Sequence, residues 1–214
     1  MKRRATLLLG AAAASVALAS AAQAATARPQ APRLRRSGPA VRRVQIRHAH
    51  TGAKFAGIYH DGRTPDPLAM SDLSLVLADS RTGAVRPFDP RAIDVLWQVG
   101  QAARAGGEFL IFSGYRTPET NAAVHGAGDS QHLRAGALDI HMPSERLAGF
   151  GETALRMGLG GVGIYPEQGF VHLDSGPVRH WGSVPDGAVV AAARAPKDDP
   201  VGRMAEAWAA ARGR

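Results

Sequence analysis

The chain has 214 residues, 45% of them hydrophobic, a net charge of +8 and no cysteine. That length accommodates one domain of ordinary size plus processing segments and tails. The lack of cysteine excludes a disulfide framework and a thiolate metal site, so a metal here has to be held by His and carboxylate groups.

Lys2, Arg3 and Arg4 form a basic start, Leu7 to Ala22 is an Ala-rich apolar run, and Ala22-Gln23-Ala24 is a small-x-small cleavage site. Residues 1–24 therefore predict an export signal that is cleaved. The run is short for a membrane span and no second one follows, which argues for cleavage over anchoring. Paired Arg3 and Arg4 resemble a twin-arginine signal, which would mean export in the folded state. Three of the 26 Lys and Arg lie in this segment and seven more between Arg28 and Arg47, leaving 16 bases against 18 acids. The positive charge thus belongs to the leader, residues 25–43, which has too little apolar surface to fold and would attract anionic envelope polymers or lipid headgroups. A solvated linker is the alternative reading of the leader. The predicted domain covers residues 44–182, and residues 183–214 form a tail of Ala, Gly, Pro and charge in which Met204 to Ala211 suits a short helix.

Within the domain, Val44 to Ile46 and Lys54 to Tyr59 flank a turn at Thr51-Gly52 and predict a hairpin. His48, His50 and His60 sit at its ends, on different faces and in a turn, so they read as surface residues. Asp61 to Pro67 is a loop, and Leu73 to Leu77 is a short apolar run broken by Ser74. Asp89-Pro90 opens a helix with a cap followed by proline; Ile93, Leu96, Trp97 and Ala103 form its buried stripe and Gly106-Gly107 ends it. Phe109 to Phe112 reads as a central strand that delivers Ser113-Gly114-Tyr115-Arg116 to the sheet's edge. Thr117-Pro118 repeats the capped start, Asn121 to Val124 carries a short helix, and Gly126 to Ser130 is a Gly-rich loop. Ala137 to Met142 predicts a strand with Ala137, Asp139 and His141 on one face and Leu138 and Ile140 on the other. Ser144 caps a helix through Leu147, Phe150, Ala154 and Leu155 that stops at Gly158. Gly160 to Tyr165 and Phe170 to Asp174 form a strand pair. These elements predict an α+β fold, a small antiparallel sheet with flanking helices.

His132 and Asp139, seven residues apart, enter through polar residues and leave through an apolar run, which suits a loop feeding a strand. His172 comes within reach if its strand pairs with that of Asp139. Two histidines and a carboxylate suit zinc with a fourth position open, and also non-haem iron, although no feature points to oxygen chemistry. Alternatively, Asp139 pairs with Arg134 or Arg116.

Four blocks, in order, carry a resemblance. They are Ser113-Gly114-Tyr115-Arg116 with Asn121; Ser130-x-His132 with Ala137-x-Asp139; Gly160-Gly161-Val162-Gly163 with Tyr165-Pro166; and Phe170-Val171-His172-x-Asp174 with Gly176-Pro177-x-Arg179-His180-Trp181. From about Arg43 to Trp181 the chain resembles the murein endopeptidase K type of zinc peptidase, in the lysostaphin, D-Ala-D-Ala peptidase and sonic hedgehog fold group. The resemblance implies a periplasmic, monomeric peptidase that hydrolyses peptide cross-links of peptidoglycan by metal-activated water, with Zn2+ on His132, Asp139 and His172 and no nucleic-acid partner. It favours a D-Ala to diaminopimelate link as substrate over a D,D-carboxypeptidase reaction. Two features depart from the family: Ala135 stands where glycine is usual, and Gly169 and Phe170 occupy the place of the wider group's general base. Asp174 or His180 is then the expected base, and His141 is expected behind the ligands. Arg116 is expected to bind a substrate carboxylate or polarise the scissile carbonyl, and Ser113 to hold its loop. The missing base leaves a second reading: a non-catalytic envelope protein with structural zinc that binds peptidoglycan.

Overall fold

The computed structural model describes residues 40–184. The predicted export signal, most of the basic leader and nearly all of the tail lie outside them. The elements in chain order are β1 (Arg42–His48), β2 (Lys54–His60), α1 (Pro67–Val76), α2 (Pro90–Ala102), β3 (Phe109–Ser113), α3 (Pro118–Ala123), a 3-10 turn (Gln131–Arg134), β4 (Ala137–His141), α4 (Ser144–Met157), β5 (Gly161–Tyr165), β6 (Phe170–Asp174) and β7 (Arg179–Gly182).

Helix starts follow local chemistry. Asp66, Asp89 and Thr117 are extended caps whose side chains accept from the first turns of α1, α2 and α3, each with proline at the start. Proline costs nothing there because that N–H has no intrahelical partner. The Asp66-Pro67 start of α1 carries the same pattern as the other two, yet its Gly, Pro and Asp neighbours read as a loop. Helix α4 opens differently from expectation: Pro143 takes the cap position without a side-chain hydrogen bond, Ser144 is the first helical residue, and Gly158 closes the helix at φ 57°.

All seven strands join one sheet in the order β2-β1-β3-β4-β6-β5-β7. The fold is α+β as predicted, but the sheet is larger and mixed, with β1–β3 and β5–β7 parallel. The parallel β1–β3 pair is reached by the long crossover through α1 and α2, as parallel pairing requires. Strand β1 begins at Arg42, two residues before the expected domain start.

Alternation on the central strands divides the chemistry. Leu138, Ile140, Val171, Leu173, Val162 and Ile164 are nearly fully buried and form the apolar core with residues of α2 and α4. Each such Leu or Ile contributes roughly 1.5–3 kcal/mol through burial. The opposite face of the same strands carries Asp139, His141, His172 and Asp174.

The hairpin histidines differ from expectation. His48 and His60 are buried and only His50 is exposed. His48 and His60 each accept, on Nδ1, the backbone N–H two residues on, at 3.2 and 2.9 Å, so each ring caps a strand end.

Candidate metal centre

The site is built on one row across the sheet. Asp139 of β4 pairs with His172 of β6, and directly paired residues share a face. The 3-10 turn, with Ser130 accepting from its backbone, brings buried His132 over that row. His132 Nε2, Asp139 Oδ1 and His172 Nδ1 then lie 3.2, 2.9 and 3.2 Å from one another. Among the described residues, these three form the group able to hold a metal.

The donor set fits zinc. Tetrahedral zinc with bonds of about 2.0–2.1 Å sets neighbouring donors about 3.3 Å apart, close to the triangle present here. The second nitrogens are already committed. His132 Nδ1 donates to the Gly114 carbonyl at 2.6 Å, and His172 Nε2 donates to Asp174 Oδ2 at 2.9 Å. Each ring is thereby fixed in the tautomer that turns its lone pair inward.

The other Asp139 oxygen is held by Arg116 Nη2, and Arg116 Nε donates to Ser113 Oγ at 2.8 Å. A register shift between Ile111 and Ser113 puts Ser113 opposite Asp139, while Phe112 stacks on the His141 ring at 5.1 Å. Burial opposes charge at Asp139, but the neighbouring His132, Arg116 and His172 outweigh it and hold the carboxyl well below its ordinary range. Burial and the Arg116 cation push His132 down, favouring the neutral ligand form. Burial lowers His172 too, but Asp139 and Asp174 outweigh it and leave that imidazole raised.

Asp174 is fully buried and already saturated. Besides His172 it accepts from Gly161 N and Gly176 N at 3.1 and 2.8 Å, and from Arg179 Nη1 and Nη2 at 3.1 and 2.8 Å. Burial alone would raise its carboxyl; His172 and Arg179 overturn that and hold it down. It is placed to orient His172 and has no spare lone pair directed at a reacting group.

The register removes His180 from the site. His180 lies in the row of Val162, Leu173 and Leu138, on the sheet's core side, one residue out of phase with Asp139, His172, Gly163 and Trp181. The sequence pattern treats residues after Pro177 as a loop able to reach back, but they form β7, and strand alternation fixes which of them face the metal row. Arg179 and Trp181 take the inward positions. Trp181 lies 5.0 Å from the His172 ring, and its Nε1 donates to Tyr165 Oη at 2.6 Å. Two β5 glycines make room: a Cβ on Gly161 would lie 2.3 Å from Asp174 Oδ2, and one on Gly163 2.6 Å from Trp181 Nε1. The signal for Arg179 and Trp181 was Gly-x-Gly at strand spacing opposite bulky side chains.

His141 sits two residues beyond Asp139 on the same face, and its Nδ1 donates to the Gly169 carbonyl at 2.9 Å. Asn121, from the first motif block, is buried and its Nδ2 donates to Ala127 O at 2.9 Å, tying down the Gly-rich loop. Ala135 takes φ 52°, the left-handed conformation that explains why glycine is usual at that position.

The family model described as peptidoglycan L,D-endopeptidase MepK matches residues 36–181. The chain belongs to this family. It is 31% identical over 150 residues to the peptidoglycan L,D-endopeptidase MepK of Escherichia coli (strain K12), covering 68% of this chain and 82% of that one. It is 29% identical over 154 residues to the probable peptidoglycan L,D-endopeptidase MepK of Haemophilus influenzae, covering 69% and 83%. The MepK match spans all four motif blocks and the whole site, as the resemblance implied. MepK relatives belong to the zinc peptidases of the D-Ala-D-Ala peptidase group.

Proposed function

We propose that this protein is an exported zinc peptidase that hydrolyses peptide cross-links of peptidoglycan. The observation that carries the reading is a three-donor centre, with two ring tautomers set by partners behind them. Structural zinc sites close with four protein donors, whereas a peptidase site keeps a position for water and substrate. That favours catalysis over a merely structural zinc in a binding protein. The relatives are named for an L,D bond. We therefore assign an L,D link, joining an L centre to a D centre, in place of the expected D-Ala to diaminopimelate link, which joins two D centres.

His132, Asp139 and His172 would hold the zinc, and when bound it supplies Lewis acidity that polarises the scissile carbonyl and acidifies water. Asp174 keeps the His172 tautomer. Arg116 neutralises the outer oxygen of Asp139 and has one guanidinium nitrogen, Nη1, with no hydrogen bond to a described residue. That group is assigned to the charge that develops on the carbonyl oxygen. The proton-accepting role passes from Asp174 and His180 to His141, whose Nε2 is the lone-pair nitrogen once Nδ1 donates to Gly169. Export rests on the N-terminal signal and a periplasmic cell-wall substrate; no helix among the described residues is long and apolar enough to cross a membrane. Anionic envelope polymers remain the assigned partners of the basic leader.

Digestion of purified cross-linked muropeptides tests this. Zinc-loaded protein should convert L,D-linked dimers to monomers, and His132→Ala or a chelator should abolish conversion. Persistence of dimer with metal-loaded wild type would sink the enzyme reading and leave the binding protein.

A further inference from the structure

Beside the metal row, at the Ala137–Asp174 end of β4 and β6, lies a cleft of about 560 Å³ lined by Asp89, Arg91, Gln131, Arg134, Ser175 and Gly176 among others. Its charges do not cancel. Asp89 is committed: it pairs with Arg91 Nη2 at 3.0 Å and accepts Ser175 Oγ at 2.7 Å. Arg134 is exposed and makes no ion pair or hydrogen bond through its guanidinium with a described residue, so it is the cleft's surplus cation. Gln131 lies against Gly176, its Nε2 2.9 Å from where a Cβ on that glycine would stand, and its side-chain amide also makes no hydrogen bond with a described residue.

Both donors flank His132 in the chain. Gln131 precedes it by one peptide unit, about 3.8 Å between Cα atoms, and Arg134 follows two residues later on the same 3-10 turn. A ligand in the cleft is therefore held by chain neighbours of His132. The far end of the same strands is different in kind: Phe112 stacks on His141 and meets Phe170 edge-on, and Phe170 stacks on Tyr165. A substrate lying along the strands meets a cation on one side of the metal row and aromatic faces on the other.

We propose that this cleft is a subsite for a free carboxylate of the peptide stem flanking the scissile amide, with Arg134 as its cation and Gln131 Nε2 as a second donor. A planar guanidinium matches a carboxylate in a two-point fork, which a carboxamide cannot complete with two acceptors. The proposal rests on the peptidase reading for its ligand. The cleft then discriminates peptidoglycan by the amidation state of its peptide.

The test separates the two readings by measuring binding without turnover. The full chain, stripped of metal with a chelator, is titrated calorimetrically with a diaminopimelate-containing stem peptide carrying free carboxylates and with the same peptide amidated. Wild type should bind the free acid at least tenfold more tightly, Arg134→Ala should lose most of that preference, and Arg134→Glu should reverse it. Arg134→Lys should retain an intermediate preference, and a thermal melt of each variant matching wild type shows the effect is not unfolding. With metal restored, Arg134→Ala should raise KM for free-acid cross-links about tenfold with kcat within twofold, at unchanged zinc content. Equal wild-type affinity for acid and amide, no detectable binding of either, or a preference that survives Arg134→Ala would overturn the subsite. Discrimination without any turnover would overturn the peptidase reading and leave the subsite standing.

Discussion

Asp174 accepts five hydrogen bonds in a fully buried position. An asparagine there keeps the size but turns a donor toward His172 or Arg179, so one buried donor loses its partner. Asp174→Asn should weaken zinc affinity 10- to 100-fold, read by competition with a chelating dye, because the second carboxylate fixes the ligand ring. A base would instead lose turnover at unchanged affinity. His180→Ala should leave turnover on muropeptide dimers within twofold of wild type, since its row belongs to the core side of the sheet. A loss of 100-fold would mean β7 shifts register in the working enzyme.

At the scale of elements, the loop that feeds the site is fastened at Asp79. Its carboxylate accepts from Arg81 N at 2.9 Å and from Thr117 N, the cap of α3, at 2.7 Å. Burial pushes this carboxyl up, but the hydrogen bonds from Thr117, Thr120 and Arg81 outweigh burial and hold it at about 2, against 3.8 ordinarily. A depressed carboxyl stabilises the fold above the unfolded value, near 3.8, and that contribution disappears as pH falls through about 2. Its size is about 2 kcal/mol. Asp79→Asn should therefore cost about that much in urea denaturation at pH 7, and the gap to wild type should close between pH 4 and pH 2. The β5 strand makes a second case. Gly163→Ala would drive a methyl into the indole of Trp181, and overpacking of this kind costs typically 1–3 kcal/mol. The same variant should lower zinc affinity, because Trp181 backs the His172 ring.

For the molecule as a whole, the metal row joins the 3-10 turn, β4 and β6, so a bound ion would tie together segments far apart in sequence. A ligand that binds only the folded state stabilises by about 2.7 kcal/mol at a hundredfold excess over Kd. Removing zinc with a chelator should lower the melting temperature by several degrees, and zinc should restore it. No change on chelation would mean the three donors do not hold a metal in solution.

Much of this was legible along the chain because it depends on local chemistry. Capped prolines set the starts of α2 and α3, alternation from Ala137 to His141 put Asp139 on the face opposite Leu138, and spaced His, Asp and His marked the three groups that the structure brings together. What only the tertiary structure decided is phase and partnership. Whether Arg179 or His180 faces the metal row depends on β7 pairing in parallel with β5, since a shift of one residue moves every side chain to the other face. Whether Asp174 is a base or a support depends on the Arg179 and two backbone N–H groups that fill its lone pairs, contacts that its sequence neighbours do not announce. Residue type and spacing determine which atoms can bind a metal; strand register and satisfied hydrogen bonds decide which of them are free to do anything else.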